Sequence, residues 1–322
     1  MSDRAALDDL VARAREGSPR AVAQLVSLVE DGGPRTRDLA AALAPHTGHA
    51  VVVGLTGSPG VGKSTTTSAL VSALRADDRR VGVLAVDPSS PFSGGALLGD
   101  RVRMGEHATD PGVFIRSMAT RGHLGGLSAS APQALRVLDA AGCDVVLVET
   151  VGVGQSEVEV VALADTTVVL LAPGMGDGVQ ATKAGILEVA DVFCVNKADR
   201  EGADVTVREI ENAMAMSRRG TGPRWRAPVV RASAASNRGI DDLLAAIDDH
   251  RAWMVAQGRG DEGRRRRARA EVEAIALADL RAQLRAVSGS VALDALAGEV
   301  ASGALDPFSA ADRLREAAGN RS

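Results

Sequence analysis

A glycine-rich segment of this 322-residue chain has the residue types and spacing of a phosphate-binding loop. It reads GSPGVGKS over residues 57–64 and matches the pattern G-x-x-x-x-G-K-[ST], between the apolar run VVVGLT and the helical run TTTSALVSALRA. Glycines let successive backbone N–H groups face phosphate oxygens, and the positive end of the following helix attracts the same charge. We expect Lys63 to reach the β- and γ-phosphates and the Ser64 hydroxyl to bind Mg²⁺. The predicted nucleotide-binding residues here are Gly57, Ser58, Pro59, Gly60, Val61, Gly62, Lys63, Ser64 and Thr65.

A second motif, NKAD at residues 196–199, indicates which base the nucleotide carries. The Asp199 carboxylate can accept hydrogen bonds from N1–H and N2–H₂ of guanine, whereas adenine presents a mismatched edge. We expect Asn196 to join this base loop to the phosphate loop and Lys197 to lie along the base plane. A second guanine loop, with backbone N–H groups that meet O6, is predicted at Ser233, Ala234 and Ala235. Together with the phosphate loop, these motifs favour GTP over ATP.

Acidic residues near the ends of other apolar runs are candidates for catalysis and for holding Mg²⁺. Glu149 ends the run DVVLVET, Asp87 ends the second apolar run, and Asp100 begins the cluster DRVRM. Glu149 could hold Mg²⁺ through water, whereas Asp87 and Asp100 could each contact the metal ion or order a switch loop around it. For Asp87 and Asp100 the alternative is a helix cap or a solvated loop acid.

Two further residues are candidates for the catalytic site. Gly152 follows in the segment ETVG, where its backbone N–H can meet the γ-phosphate, and loss of that contact on hydrolysis would make the following loop a switch. Val153 stands where many small GTPases carry a water-orienting Gln, so we expect slow unaided turnover. Lys183 follows a glycine-rich stretch and could supply charge to the nucleotide or to a partner. The alternative for Lys183 is an exposed helix lysine.

The elements that position these residues follow from the distribution of apolar residues. From residue 50, short runs rich in Val and Leu, without polar alternation, are separated by amphipathic stretches. Such runs are typical of strands buried on both faces of a mostly parallel sheet. The predicted strands cover residues 50–56, 81–86, 113–117, 144–150, 167–172, 192–196 and 229–232. We therefore predict an α/β fold, a three-layer P-loop NTPase domain with a mostly parallel sheet.

Helical segments are predicted on either side of this domain. Residues 1–45 show apolar positions at helical spacing and form an N-terminal helical extension, with Ser18 as an N-cap and Pro19 at the first helical position. The P-loop domain covers residues 46–252. Residues 253–322 form a C-terminal helical arm, which we expect to mediate dimerisation through an apolar stripe at Val272, Ile275, Leu280, Leu284 and Val287.

The composition excludes several classes of partner. With 37 basic and 41 acidic side chains the formal net charge is −4, which argues against nucleic-acid binding through phosphate neutralisation. No apolar run approaches the roughly 20 residues that span a membrane, and the N-terminus lacks a targeting leader. Cys143 and Cys194 lie inside apolar runs and are predicted to be buried. We expect a cytoplasmic protein that binds neither nucleic acid nor membranes.

The motifs together resemble one family, the MeaB/ArgK group of P-loop GTPases that act as chaperones of adenosylcobalamin-dependent methylmalonyl-CoA mutase. The resemblance rests on GLTGSPGVGKST, VLAVDPSSPFSGGALLGDRVRM, VLVETVGVGQSEVEV, APGMGDGVQATKAGILEVADVFCVNKAD and SAASNRGID. It implies a homodimeric GTPase, using GTP/GDP and Mg²⁺, that gates cofactor loading of an acyl-CoA mutase and removal of damaged cofactor. It also implies that Asp87, Asp100 and Glu149 surround Mg²⁺ with Ser64, and that the loop with Gln180 and Lys183 reports the nucleotide state to the mutase.

Two other functions remain open from the residues. A metallochaperone GTPase for a nickel enzyme is built on a similar core, but a His-rich tract or clustered Cys and His residues would be expected and are not found in the sequence. An ATP-using kinase or transport-associated ATPase would require ATP to compete well with GTP, which the Asp199 contact should prevent.

Overall fold

Seven strands form one sheet in the computed structural model of this chain, and every pairing in it is parallel. The structure describes residues 3–33, 35–88, 105–120, 130–150, 162–174, 189–216, 224–288 and 291–319. The strands are β1 (Val51–Thr56), β2 (Val81–Pro88), β3 (Val113–Thr120), β4 (Val145–Thr150), β5 (Thr166–Leu171), β6 (Val192–Val195) and β7 (Val229–Arg231). Their order across the sheet is β3-β2-β4-β1-β5-β6-β7. The predicted α/β class with a parallel sheet is therefore confirmed.

Helices precede, connect and follow the strands. They are α1 (Asp3–Arg15), α2 (Pro19–Asp31), α3 (Arg35–Leu43), α4 (Lys63–Ala76), α5 (Ala131–Ala140), α6 (Ala203–Met216), α7 (Ile240–Ala256), α8 (Glu262–Ser288), α9 (Val291–Ala301) and α10 (Pro307–Gly319). Short 3₁₀ turns cover Ala44–His46, Gly105–His107 and Ala234–Ser236. No helix among the described residues is long and apolar enough to cross a bilayer.

The continuous apolar runs are explained by a sheet that is covered on both faces. Successive side chains of a strand point to opposite faces, so Val52 packs in one hydrophobic cluster while Val53 and Leu55 pack in the other. Each Val or Leu buried in this way stabilises the fold by about 1.5–3 kcal/mol. Apolar residues therefore dominate the central strands, and the buried polar exceptions lie near the strand ends.

The N-terminal helices belong to the hydrophobic cluster that contains Val52. Helices α1, α2 and α3 share a buried cluster with α5 and with one face of the sheet. The Ser18 Oγ accepts a hydrogen bond from the Ala21 N–H at 3.4 Å and caps α2, with Pro19 next in the chain, as predicted. Arg116 of β3 forms an ion pair with Glu30 at the end of α2. This part of the chain therefore covers the sheet and braces it.

The start of β1 is held by a single carboxylate of α5. Asp139 accepts hydrogen bonds from the backbone N–H groups of Gly48, His49 and Ala50 at 2.6, 3.0 and 2.9 Å. These donors precede the strand and have no ladder partner of their own. The contact fixes where β1 enters the sheet and, consequently, where the phosphate loop leaves it.

Contacts within the chain divide it into two compact units, residues 1–267 and 268–322. The described residues of the second unit form the end of α8, then α9 and α10, with a short non-helical connection at residues 302–306. Three residues of the predicted apolar stripe, Val272, Ile275 and Leu280, are 68, 45 and 55% exposed. The side chains of Leu284 and Val287 lie outside the described part of the chain. The boundaries at residues 45 and 252 and the dimerisation role stay predictions.

Candidate functional site

The candidate site lies at the edge of the sheet where the parallel strands end. In open α/β sheets ligands bind at this edge, next to the central strands. Strands β4 and β5 flank β1 on its two sides, with Leu55 opposite Glu149 and Thr56 opposite Val169. The residues that follow these strands consequently converge on the segment after β1.

The phosphate loop has a backbone that requires glycine. Gly57, Gly60 and Gly62 have φ angles of 143°, 80° and 96°, a region that L-residues rarely adopt. At Gly57 an added Cβ would lie 2.3 Å from the carbonyl oxygen of Leu170. At Gly62 it would lie 2.4 Å from Asn196 Nδ2. The neighbouring strand and the base loop therefore approach this loop too closely for a side chain.

Lys63 lies inside the phosphate loop, because its side chain turns back over the loop's own backbone. Its Nζ donates to the carbonyl oxygens of Gly57 at 2.6 Å and Ser58 at 3.2 Å. The residue is only 7% exposed. Val61 anchors the loop in the apolar core below, whereas Pro59 and Gly60 are exposed. The ammonium group is thus held against the backbone of the loop by two carbonyl oxygens.

Glu149 lies beside this loop with both carboxylate oxygens in hydrogen bonds from α4. Ser64 Oγ donates to Oε1 at 2.6 Å, and Thr67 Oγ1 donates to Oε2 at 2.5 Å. Glu149 is 2% exposed and ends the central strand β4. The predicted neighbours Ser64 and Glu149 are therefore brought together across 85 residues of sequence.

Two buried hydroxyl groups complete the described part of this edge. Thr56 Oγ1 and Thr150 Oγ1, at the ends of β1 and β4, are buried with no hydrogen-bond partner among the described residues. Buried polar atoms usually have a partner in the protein, in water or in a ligand. Their position beside the phosphate loop is consistent with a polar ligand at this edge.

Four predicted catalytic or metal-binding residues are described only in part or not at all. Asp87 is placed by its backbone in β2, opposite Ala119 of β3, but its side chain lies outside the described part of the chain. Asp100, Gly152 and Lys183 also lie outside the described residues.

Asn196 connects the two predicted base loops to the phosphate loop. Its Nδ2 donates to the carbonyl oxygen of Val61 at 2.8 Å, and its Oδ1 accepts from the Ala234 N–H at 3.1 Å. Lys197, with φ of 56°, donates from Nζ to the carbonyl oxygen of Gly60 at 2.6 Å. The predicted contact of Asn196 with the phosphate loop is therefore present. Asn196, a buried residue of the first base loop, joins that loop to the phosphate loop and to the second base loop.

Asp199 is oriented by Ser233 of the second base loop. Ser233 Oγ donates to Asp199 Oδ1 at 2.7 Å and accepts from the Asp199 backbone N–H at 3.1 Å. The hydrogen bond from Ser233 holds the pKa of Asp199 below its ordinary value, so the carboxylate is ionised at neutral pH. Asp199 itself and Ala235 are exposed. An ionised, exposed carboxylate is suited to accept hydrogen bonds from the two donors on the guanine edge.

The structure adds residues that sequence reasoning missed on the same helix. Thr67 lies three positions after Ser64 and therefore on the same face of α4, which is the signal that could have identified it. One residue further, Ser68 Oγ donates to Glu106 Oε1 at 2.5 Å and lies 3.0 Å from His107 Nε2. The 3₁₀ turn that contains Glu106 and His107 is thereby attached to the phosphate-loop helix.

The other end of α4 is attached to the start of β3. Arg75 Nε donates to Asp110 Oδ2 at 2.9 Å, and the Gly112 N–H donates to Asp110 Oδ1 at 2.7 Å. Both hydrogen bonds hold the pKa of Asp110 below its ordinary value, and the one from Arg75 has the larger effect. Helix α4 is thus fixed at both ends.

Several titratable groups lie away from this edge. His250 lies 2.9 Å from Thr166 Oγ1 and 3.3 Å from Asp191 Oδ1, in a buried cluster where desolvation lowers the pKa of the histidine. Burial raises the pKa of both Cys143 and Cys194 to about 12, so these thiols are protonated and buried, as predicted.

The last two arginines of the basic run at residues 264–267 contact the segment that precedes β5. Arg266 donates to the carbonyl oxygens of Ala162 and Ala164, and Arg267 donates to Leu163 and to the Asp165 carboxylate. Arg266 and Arg267 therefore stabilise the segment before β5 and do not simply extend into solvent.

The chain is similar in sequence to proteins that are named as GTPases. A family model described as Methylmalonyl Co-A mutase-associated GTPase MeaB matches residues 22–288. A protein of Pyrococcus abyssi named as a GTPase is 47% identical over 309 residues, which cover 96% of this chain and 95% of that protein. The mouse protein named methylmalonic aciduria type A homolog, mitochondrial, is 37% identical over 261 residues, covering 76% of this chain and 62% of its own length.

A solved structure has the same fold over the whole length. A crystal structure of an LAO/AO transport system kinase is similar with a TM-score of 0.71 and 29% sequence identity, covering 98% of each chain. The similarity includes the helices on both sides of the sheet domain as well as the domain itself.

Proposed function

The chain belongs to the family of methylmalonyl Co-A mutase-associated GTPases named MeaB, and from this premise we propose that its GTP cycle controls an adenosylcobalamin-dependent acyl-CoA mutase. Members of the family are GTPases, so the chain binds guanine nucleotide and hydrolyses GTP to GDP. The proposed client is methylmalonyl-CoA mutase. The protein would act as its chaperone by gating cofactor loading and by protecting or reactivating the mutase.

One observation carries this proposal. The family match over residues 22–288 includes the phosphate loop, the Glu149 strand end and both base loops, which hydrogen bonds join into one site. The description of the family and the name of the mouse relative both refer to methylmalonyl metabolism. Both names support the proposal that the client is a mutase.

The donor atoms at the phosphate loop fit Mg²⁺. Ser64 and Glu149 present hydroxyl and carboxylate oxygens 2.6 Å apart, which are hard ligands of the kind that Mg²⁺ prefers. We assign the metal to Ser64 and Glu149, with Asp87 and Asp100 as the further carboxylates. When bound, Mg²⁺ supplies positive charge beside the β- and γ-phosphates.

The chain's own residues supply the rest of the proposed chemistry. Lys63 exchanges its contacts with the loop carbonyls for phosphate oxygens, and its charge stabilises the transition state of phosphoryl transfer. Gly152 contributes a backbone N–H to the γ-phosphate, and Lys183 contributes positive charge. Since Val153 cannot orient an attacking water by hydrogen bonding, turnover without the client is slow.

The nucleotide-binding residues divide between phosphate and base. Lys197 lies along the base, Asp199 reads N1–H and N2–H₂, and the backbone of the second base loop meets O6. The complete proposed set is Gly57, Ser58, Pro59, Gly60, Val61, Gly62, Lys63, Ser64, Thr65, Asn196, Lys197, Asp199, Ser233, Ala234 and Ala235.

The test is GTP turnover with and without purified methylmalonyl-CoA mutase. We expect the mutase to stimulate turnover and to form a complex whose stability differs between GTP and GDP, because the two states favour different loop arrangements. An acyl-CoA-binding enzyme that does not use cobalamin serves as the control. Absence of both stimulation and complex would reject the mutase as client while leaving the GTPase activity in place.

The same preparation tests the other candidate functions. ATP should compete poorly with GTP, whereas a kinase or transport-associated ATPase would accept it. Equilibrium dialysis with Ni²⁺ should show no specific uptake, in contrast to a nickel metallochaperone. The cytoplasmic location stays a prediction.

We also propose that the protein is a homodimer through its C-terminal helices. Val272, Ile275 and Leu280 recur along one helix and are between 45 and 68% exposed. Exposed apolar side chains that recur along a helix are often covered by another surface, and a second copy of the same helix can cover them symmetrically.

A further inference from the structure

Thr67 is a completely buried residue of α4 that contacts the carboxylate of Glu149. Its Oγ1 lies 2.5 Å from Glu149 Oε2 and 3.0 Å from the carbonyl oxygen of Lys63, four positions earlier in the helix. A threonine in a helix commonly bonds to the carbonyl oxygen four positions earlier, as Thr67 does with Lys63. The contact with Glu149 is therefore the one that needs an explanation.

The Thr67 hydroxyl has a single proton, so it can donate a full hydrogen bond to only one of these two oxygens. A carboxylate oxygen and a hydroxyl oxygen at 2.5 Å repel each other unless a proton lies between them. A carboxylate that binds a metal ion is ionised and has no proton to give, so in the metal-binding state the proton of Thr67 points toward Oε2. The contact is therefore a charge-assisted hydrogen bond, which is stronger than the bond to a neutral carbonyl.

The neighbouring residue, Thr66, shows which hydrogen bond a buried threonine of α4 makes when it does not contact Glu149. Thr66 is equally buried, and its Oγ1 donates to the carbonyl oxygen of Gly62 at 2.9 Å. No described contact joins Thr66 to Glu149. The contact with Glu149 is thus specific to position 67 and not a general property of threonines in this helix.

We propose that Thr67 is a positioning residue that orients the Glu149 carboxylate toward the metal side of the nucleotide site. The inference rests on the proposed Mg²⁺ site. Ser64 and Thr67 hold the two carboxylate oxygens from one face of α4, with Ser64 at Oε1 and Thr67 at Oε2. If Ser64 turns its hydroxyl oxygen to the metal, the Thr67 bond still fixes the rotation of the carboxylate. Oε1 of Glu149 and the hydroxyl oxygen of Ser64 then both face the proposed position of the metal ion.

The experiment measures metal affinity in the full-length protein. Mn²⁺, which takes the place of Mg²⁺ and is visible by electron paramagnetic resonance, is titrated into the GDP-bound protein. Release of a fluorescent GDP analogue is followed over a range of Mg²⁺ concentrations. The variants are Thr67→Val, which keeps the shape and removes the hydroxyl, Thr67→Ser, which keeps the hydroxyl, and Thr66→Val as the matched control.

We expect Thr67→Val to weaken Mn²⁺ binding by about tenfold and to raise the Mg²⁺ concentration needed to slow GDP release by the same factor. A loss of this size is typical when a group that orients a metal ligand is removed. Thr67→Ser should restore the wild-type values, and Thr66→Val should leave them unchanged. If Thr67→Val does not fold, as judged by its thermal midpoint, Thr67→Ala replaces it because that change adds no bulk.

Two results would overturn the inference. Wild-type metal affinity in Thr67→Val, or equal losses in Thr67→Val and Thr66→Val, would reduce Thr67 to a packing residue while the metal site stands. If GDP release from the wild-type protein does not depend on Mg²⁺ at all, the metal site itself is rejected, and the role of Thr67 with it.

Discussion

Asn196 Nδ2 donates a hydrogen bond of 2.8 Å to the carbonyl oxygen of Val61, so a residue of the base loop holds the phosphate loop directly. The other end of the same amide accepts from the Ala234 N–H. The predicted base loops and the predicted phosphate loop are therefore joined by one buried side chain, and a change there should affect the binding of both parts of the nucleotide.

Replacing Asn196 with Ala should weaken the binding of GDP and of inorganic pyrophosphate alike. The change removes two buried hydrogen bonds, each worth about 1 kcal/mol or more, and we expect at least a roughly tenfold loss of affinity for both ligands. Isothermal titration calorimetry measures both. Asp199→Ala is the matched control, because it should weaken GDP binding but leave pyrophosphate binding intact. Equal effects of Asn196→Ala and Asp199→Ala would contradict the shared role of Asn196.

Asp199→Asn should change which base is preferred. An amide offers one acceptor and one donor where the carboxylate offers two acceptors, and xanthine presents the matching donor and acceptor. We expect GDP affinity to fall by about 1–3 kcal/mol and xanthosine diphosphate to bind more tightly than GDP. Competition against a fluorescent GDP analogue gives both values. An unchanged preference for guanine would refute the assignment of Asp199.

Gly62→Ala should be more harmful to nucleotide binding than Gly60→Ala. Both changes strain a left-handed backbone, but only at position 62 would the new Cβ lie within 2.4 Å of Asn196 Nδ2, while position 60 has nothing within 4 Å. We expect backbone strain of about 1–2 kcal/mol at either position and a further loss of GDP affinity at position 62. Similar affinities of the two variants would show that Asn196 can move aside without cost.

Asp110→Asn should lower stability at neutral pH by about 1 kcal/mol, an amount that fits a partly exposed ion pair and hydrogen bond. The pKa of Asp110 is lowered in the folded protein by the hydrogen bond from Arg75, whereas in the unfolded chain it stays near 3.8. The unfolded state therefore takes up the proton first on acidification. The stabilisation by Asp110 is present above about pH 3.8 and is lost as the pH falls through the lowered pKa of the folded state.

Urea unfolding of the wild type and Asp110→Asn between pH 3 and pH 7 measures this effect. The difference in free energy of unfolding should be largest near neutrality and shrink at the acidic end. Asp77→Asn, at an exposed position at the end of α4, is the control and should differ little from the wild type. A difference that grows on acidification would contradict the sign of the pKa shift.

The double variant Ile275→Glu and Leu280→Glu should be monomeric if the C-terminal stripe joins two copies. Four glutamates in one symmetric interface would repel each other and lose apolar burial of about 1.5–3 kcal/mol per side chain. Light scattering gives the mass, and GDP binding should be unchanged because the nucleotide site lies elsewhere in the chain. Arg269→Glu on the same helix controls for added charge. A wild-type mass of the double variant would reject the stripe as the interface.

The sequence by itself determined the α/β class, the parallel strands, the phosphate loop and the base loops. These features depend on interactions between near neighbours in the chain. Continuous Val and Leu runs mark strands buried on both faces, and glycines at positions 57, 60 and 62 mark a backbone that only glycine adopts easily. Even the contact of Asn196 with the phosphate loop could be predicted, since the motif specifies the partner.

Only the tertiary structure decided which distant residues support the site. The contact of Thr67 with Glu149 spans 82 residues, and Asp139 holds backbone groups 89 to 91 residues away. These pairs meet because β4 lies beside β1 in the sheet, and local hydrophobic periodicity contains no information on strand order. Helical spacing from Ser64 favours Thr67 over Thr66, but only the fold shows that Glu149 lies against that face of the helix.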